Sequence, residues 1–222
     1  MSDSIAALFQ RLTQGVYVVG VARGETRDAF TAAWVMQVSY DPLLLALSIN
    51  ANHSSYRLLK EGRLFSVNVL KKGQLVLADR YGRPDRADKL GLTDWTNDRI
   101  GPPLLREGMA WFECKIVDEH PAGDHLLVVG RVIDGKLIDS EAEPMCYRET
   151  GAMDGASTLY PDVFGHSRSR SPDGKHWGPT PPVLSMIRAS ISHWKQLQVL
   201  VRAVVSACPG RRFSTPVNWP IR

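Results

Sequence analysis

The chain has 222 residues, 44% of them hydrophobic and 23% charged, which suits a globular protein with one good-sized core and room for an appendage. No apolar stretch reaches the ~18–20 residues that span a bilayer, and the N-terminus lacks a basic segment leading into a long apolar one, so a cytoplasmic protein is expected. The net charge of +4 is unevenly divided: residues 1–164 hold 18 Lys+Arg against 22 Asp+Glu, while residues 165–222 hold 9 against Asp173 alone, without the aromatic-basic interleaving of a specific nucleic-acid binder.

Ser4 to Thr13 sets Ile5, Leu8, Phe9 and Leu12 on one helical face, with Gly15 as the stop signal. Val16 to Ala22 is β-branched and aromatic, and Arg23 to Thr26 supplies a turn. Ala29 to Ser39 continues as a strand of small, hydroxyl and aromatic residues. Asp41-Pro42 then turns the chain into the apolar strand Leu43 to Ile49. Small residues at Thr31, Ala32 and Ala33 leave room for a flat ring to approach the backbone. The polar turn Asn50 to Ser55 stands before a short helical run, Tyr56 to Lys60, closed by Gly62. Its hydroxyls and backbone N–H groups suit either a helix cap or an anion such as phosphate.

Arg63 to Leu70 alternates as a half-buried strand should, Gly73 to Tyr81 reads as a helix, and residues 83 to 107 read mainly as loop. Met109 to Glu119 and His125 to Ile133 form two long antiparallel strands joined at His120 to Asp124. Many short strands, few helices and no βαβ alternation predict a mainly β fold, a closed or half-closed antiparallel barrel with short peripheral helices. No G-x-G-x-x-G opens a helix after a strand, so a Rossmann site is unsupported. Cys114, Cys146 and Cys208 are odd in number and far apart without Cys-x-x-Cys spacing, which argues against a disulfide framework and a structural zinc site and favours small buried filler. Residues 165–182 read as a linker rich in Ser, Arg, Pro and Gly, and 183–208 as an amphipathic helix, so the expected division is a barrel domain at 1–164 and a basic extension at 165–222.

Six segments taken in order resemble the flavin reductase family. They are Gly15 to Val19, Ala29 to Val35, Ser39-x-Asp41-Pro42, Phe65 to Leu70, Gly101-x-Pro103-Leu104, and Gly123-Asp124-His125 with Gly130-x-Val132. The segment around Trp34 is more similar to flavoredoxin-like members and to the reductase modules of diflavin proteins. The resemblance implies a homodimer of antiparallel split β-barrels of Greek-key type, with one flavin per subunit near the dimer interface, FMN or else FAD. It implies flavin contacts from Thr31, Ala32, Ala33 and Trp34, from Ser48, Asn50, Ser54 and Ser55, and from Lys89 and Phe164. Each position has a structural alternative: Trp34 as a core aromatic, Lys89 as a solvated charge, the hydroxyls as β-formers and caps.

The activity implied is transfer of hydride from NADH or NADPH to the flavin, supplying a monooxygenase or an electron-transfer partner. His125 would orient the nicotinamide carboxamide, or donate a hydrogen bond near the flavin, rather than act as an acid or base. The alternative is a flavoredoxin-like FMN-binding electron carrier with little nicotinamide activity, which would share every one of these segments.

Overall fold

The computed structural model describes residues 4–83, 89–91, 95–96 and 101–164. The linker and amphipathic helix expected at 165–208 lie outside the described residues. Among the described residues there are nine strands: β1 Tyr17–Arg23, β2 Thr26–Ala32, β3 Val35–Tyr40, β4 Leu43–Asn50, β5 Leu64–Val69, β6 Trp95–Thr96, β7 Leu104–Leu105, β8 Ala110–Ala122 and β9 His125–Leu137. Three short helices accompany them: α1 Ile5–Phe9, α2 Tyr56–Gly62 and α3 Leu75–Gly82. Two 3-10 turns, Tyr147–Thr150 and Ala156–Leu159, follow β9.

Seven strands form one antiparallel sheet in the order β2-β1-β5-β8-β9-β4-β3. Its two edges, β2 and β3, are consecutive in sequence and separated only by Ala33 and Trp34. A sheet whose first and last strands are joined by two residues must curl back on itself, and this produces the half-closed barrel. The strand expected to run from Ala29 to Ser39 is thus cut in two. The break falls in Ala33-Trp34, where a small residue lets the backbone leave one edge and enter the other.

The sheet has an apolar cluster on each face, which is why β1 is buried along nearly its whole length. Val19 and Val21 point into the barrel with Phe30, Leu47, Phe65 and Val128. Val16 and Val18 point outward, with Ala29, against Leu77, Ala78 and Tyr81 of α3. Two glycines permit close approach: a Cβ on Gly130 would lie 2.5 Å from the Phe65 ring, and one on Gly62 would lie 1.8 Å from the Ala22 carbonyl oxygen. The second contact seats the end of α2 on β1. Burial pushes the Cys114 thiol up to about 12, consistent with inert filler.

Other expectations are adjusted at their ends. The first helix stops at Phe9 instead of reaching Thr13, with Ser4 Oγ accepting from the Ala7 N–H at 3.2 Å as its cap. The β8–β9 hairpin is longer than predicted and turns tightly at Gly123-Asp124. Asp41-Pro42 makes the predicted turn, through a cis peptide bond. Within residues 83–107, read as loop, β6 and β7 pair with each other.

Asn68, in the segment Phe65 to Leu70, explains why a polar residue stands in that apolar run. It is fully buried, donates to the Val18 carbonyl at 2.9 Å and accepts from the Leu105 N–H at 2.8 Å, tying β7 to the main sheet. Asn68→Ala leaves a buried amide without an acceptor and a cavity beside it, so urea unfolding should show a loss of about 3 kcal/mol. A loss below ~1 kcal/mol would show that this tie is not structural.

Candidate functional site

Two stretches of chain meet side by side. Asp28 to Trp34 covers most of β2 and the break after it; Ser48 to Ser55 covers the end of β4 and the turn before α2. They touch at three points in opposite directions. Ser55 Oγ donates to Asp28 Oδ2 at 2.6 Å, the rings of Phe30 and His53 lie 4.6 Å apart, and the Ser48 N–H donates to the Trp34 carbonyl at 3.0 Å. Six residues of extended chain cover ~20 Å, so the two ends of this seam are well separated.

At one end lies a cavity of about 540 Å³ lined by Asp28, Ser54, Ser55 and Lys89, and by Arg23, Arg27 and Arg57 with Glu61. Glu61 pairs with Arg23 at 2.5 Å and with Arg57 at 3.5 Å. Deeper in, Lys89 is only 7% exposed, and no hydrogen bond or ion pair joins it to another described residue. Burying an ammonium is costly unless an anion pairs with it, and among the described residues none does, so Lys89 suits an anion bound in this cavity. Lys89 is therefore not the solvated loop charge of its structural alternative.

Ser55 is differently engaged than its sequence suggests. Its hydroxyl donates to Asp28, and its N–H donates to His53 Nδ1 at 3.2 Å, so neither donor is directed into the cavity. Accepting at Nδ1 requires a neutral His53 with its proton on Nε2. Burial, first, and the nearby Lys89 charge both lower the His53 pKa, against the opposing pull of Asp28.

At the other end the Trp34 and His125 rings lie 4.9 Å apart, tilted by 56°. His125 opens β9 directly opposite Asn50 in β4, and its Nδ1 is 2.8 Å from Asp124 Oδ1. Trp34 is 43% exposed and is therefore not a core aromatic. Ala32 and Ala33, half-buried beside it, present little side chain. An exposed indole edge, a histidine and small residues form an open bay suited to a flat ring.

The structure does not unite every predicted residue. Thr31 faces the other side of β2, where its hydroxyl donates to the Ala78 carbonyl of α3 at 2.6 Å, so that donor is unavailable to a ligand in the barrel. Asn50 uses its side-chain oxygen to accept from the Asn52 N–H at 2.9 Å and hold the turn. Phe164 is 71% exposed beyond the second 3-10 turn, and among the described residues no ring contact joins it to Trp34 or His125. Conversely, Arg27, Asp28, His53 and Arg57 were not expected at the site. The signal available was the alternation Arg27-Asp28 at the start of a strand and Arg57 one turn into α2.

The fold is the split barrel of solved flavin reductase structures. The flavin reductase like domain model matches residues 9–156, and the chain belongs to that family. It is 33% identical to the FMN reductase (NADH) SmoA of Agrobacterium fabrum over 136 residues, 61% of this chain and 75% of that one. Diflavin flavoprotein A 1 of Synechocystis is 26% identical over 134 residues, but this chain spans only 23% of its length, and several curated relatives are spanned to less than half. Among solved structures, the NADH:FAD oxidoreductase SgcE6 of Streptomyces globisporus superposes with a TM-score of 0.59 at 27% identity, over 64% of this chain and 86% of that one. Among the described residues no group of side chains could hold a metal ion, and no helix is long and apolar enough to cross a membrane.

The His53 geometry predicts a pH effect on stability. Its folded-state pKa lies below the ordinary 6.5, so the unfolded chain binds the proton first as pH falls. This stabilisation is complete above that pH and is lost as pH drops from there through the folded value. Urea unfolding between pH 7.5 and pH 5 should lose less stability in His53→Gln than in the parent chain, and equal losses would contradict it.

Proposed function

We propose that the chain is an NAD(P)H-dependent flavin reductase that binds FMN along the seam between Asp28–Trp34 and Ser48–Ser55. The observation that carries this reading is the pairing of an anion-ready cavity around Lys89 with an open ring bay at Trp34 and His125, joined by one continuous seam. The donor set fits a flavin phosphate: a buried ammonium, guanidinium groups at the rim and the Ser54 hydroxyl all favour an anion. FAD is accommodated by the same arrangement if its second half lies outward, beyond the cavity rim.

A bound flavin supplies the hydride-accepting ring, and a reduced nicotinamide supplies the hydride. The residues of this chain hold and orient. Lys89 and the arginines anchor the phosphate end, which fixes how far the ring reaches along the seam. Backbone N–H groups near Ala32 and Ala33 bond the ring's polar edge, and Trp34 shields one side of the bay from water. His125, oriented through Nδ1 by Asp124, holds the nicotinamide amide over the bay. No acid, base or nucleophile is required of the protein for hydride transfer itself.

The second copy of the chain belongs to the reading. Edge strand β3 exposes Met36 at 58%, Val38 at 44% and Tyr40 at 86%, next to Trp34. An exposed apolar edge strand is an association surface, and pairing two copies there would cover the ring bay. A flavin reduced here would serve a monooxygenase or another electron acceptor. Cys114 and Cys146 are free thiols, which agrees with a reducing cytoplasm where NADH and NADPH are held.

His125→Ala tests the reductase reading. Single-turnover reduction of bound FMN by NADH should slow at least ~10-fold while the FMN dissociation constant changes less than ~3-fold, a barrier effect of about 1.4 kcal/mol or more. Unchanged reduction would remove His125 from the mechanism. Val38→Asp places a charge in the β3 face, and light scattering should show a monomer where the parent chain is a dimer; a variant that stays dimeric would place the interface elsewhere.

A further inference from the structure

Asp28 is an acid in a cavity otherwise prepared for an anion, and nothing in the proposed reaction uses it. It stands at the start of β2, lining the same cavity as Lys89, Ser54 and Ser55. Both of its carboxylate oxygens are engaged: Oδ1 accepts from the Ala29 N–H at 2.8 Å and Oδ2 accepts from the Ser55 hydroxyl at 2.6 Å. A carboxylate has no proton to offer in exchange, so the Ser55 O–H must point at Asp28 and away from the cavity. Ser55, which is 1% exposed, is then held with lone pairs toward any ligand.

We infer that Asp28 is a specificity-determining residue that weakens the hold on the flavin phosphate. It does so by opposing the phosphate charge directly and by withholding the Ser55 donor. The inference rests on the reading of this cavity as the phosphate end of the flavin site. Among the described residues lining the cavity, Asp28 is the acid that opposes Lys89 and Arg27, since Glu61 at the rim is paired with Arg23 and Arg57. A flavin that must leave in its reduced form after each turnover needs such a limit on affinity, and limits of this kind act mainly on the dissociation rate.

The test compares FMN with riboflavin, which differs only in lacking the phosphate, by fluorescence titration of the full chain. Asp28→Asn keeps an oxygen for the Ala29 N–H and turns an N–H toward Ser55 Oγ, which frees the Ser55 proton to point into the cavity. In this variant the preference for FMN over riboflavin should rise at least ~5-fold, with slower FMN dissociation and an unchanged riboflavin constant, which also certifies the fold. Ser55→Ala alone should leave the preference within ~2-fold of the parent. In the double variant it should remove part of the gain.

An unchanged or smaller preference in Asp28→Asn overturns the inference. So does a large loss of preference in Ser55→Ala alone, since that would mean the hydroxyl already serves the phosphate; this arm decides the matter even if Asp28→Asn fails to fold. A parent chain that binds FMN no better than riboflavin removes the phosphate reading itself, and the role of Asp28 with it.

Discussion

The lashing of Asp28–Trp34 to Ser48–Ser55 is the constraint from which the functional geometry follows. These stretches leave β2 and β4, strands five places apart in the sheet, and they would not be neighbours if the sheet were open. The two-residue link at Ala33-Trp34 brings the sheet edges together, and the contacts Asp28–Ser55, Phe30–His53 and Trp34–Ser48 then fix the seam along its length. Each contact is of a different kind: a charged hydrogen bond, a ring pair and a backbone bond. Loosening one would leave the others in place.

The barrel interior and the site are connected by residue alternation. Along β2, Phe30 and Ala32 face the inner cluster while Ala29 and Thr31 face α3. A single-residue slip would exchange these faces, bury Asp28 differently and present Thr31 to the seam. The register of β1 against β2, with Val19 opposite Phe30, therefore determines which chemical groups a ligand meets. Asn68 supports the same register from the other side through its bond to the Val18 carbonyl.

Much of this was legible in the sequence, for reasons that can be stated. Period-two alternation, turn residues and Asp41-Pro42 report local backbone preference, and they marked β1, β4, β5, β8 and β9 to within a few residues. The family resemblance brought Trp34, Ser54, Ser55, Lys89 and His125 forward, and the structure sets them at the two ends of one seam. What was not legible depends on contacts between distant residues. Ala33 is an ordinary strand residue until closure demands a break there. Thr31 reads as a donor until α3 packs its Ala78 carbonyl against it. Ser55 reads as a phosphate donor until Asp28, 27 positions earlier, accepts its hydrogen bond. The burial of Lys89 likewise has no local signature, because a lysine between Asp88 and Leu90 looks the same whether solvated or enclosed.

Whether the seam is one flavin site is settled most directly by an anaerobic visible spectrum of the purified chain, taken with FMN and again after NADH. The account predicts a perturbed flavin band on binding, followed by bleaching faster than that of free FMN with the same NADH. Binding without bleaching would identify an electron carrier, and no binding would mean that the barrel has kept its fold without the site.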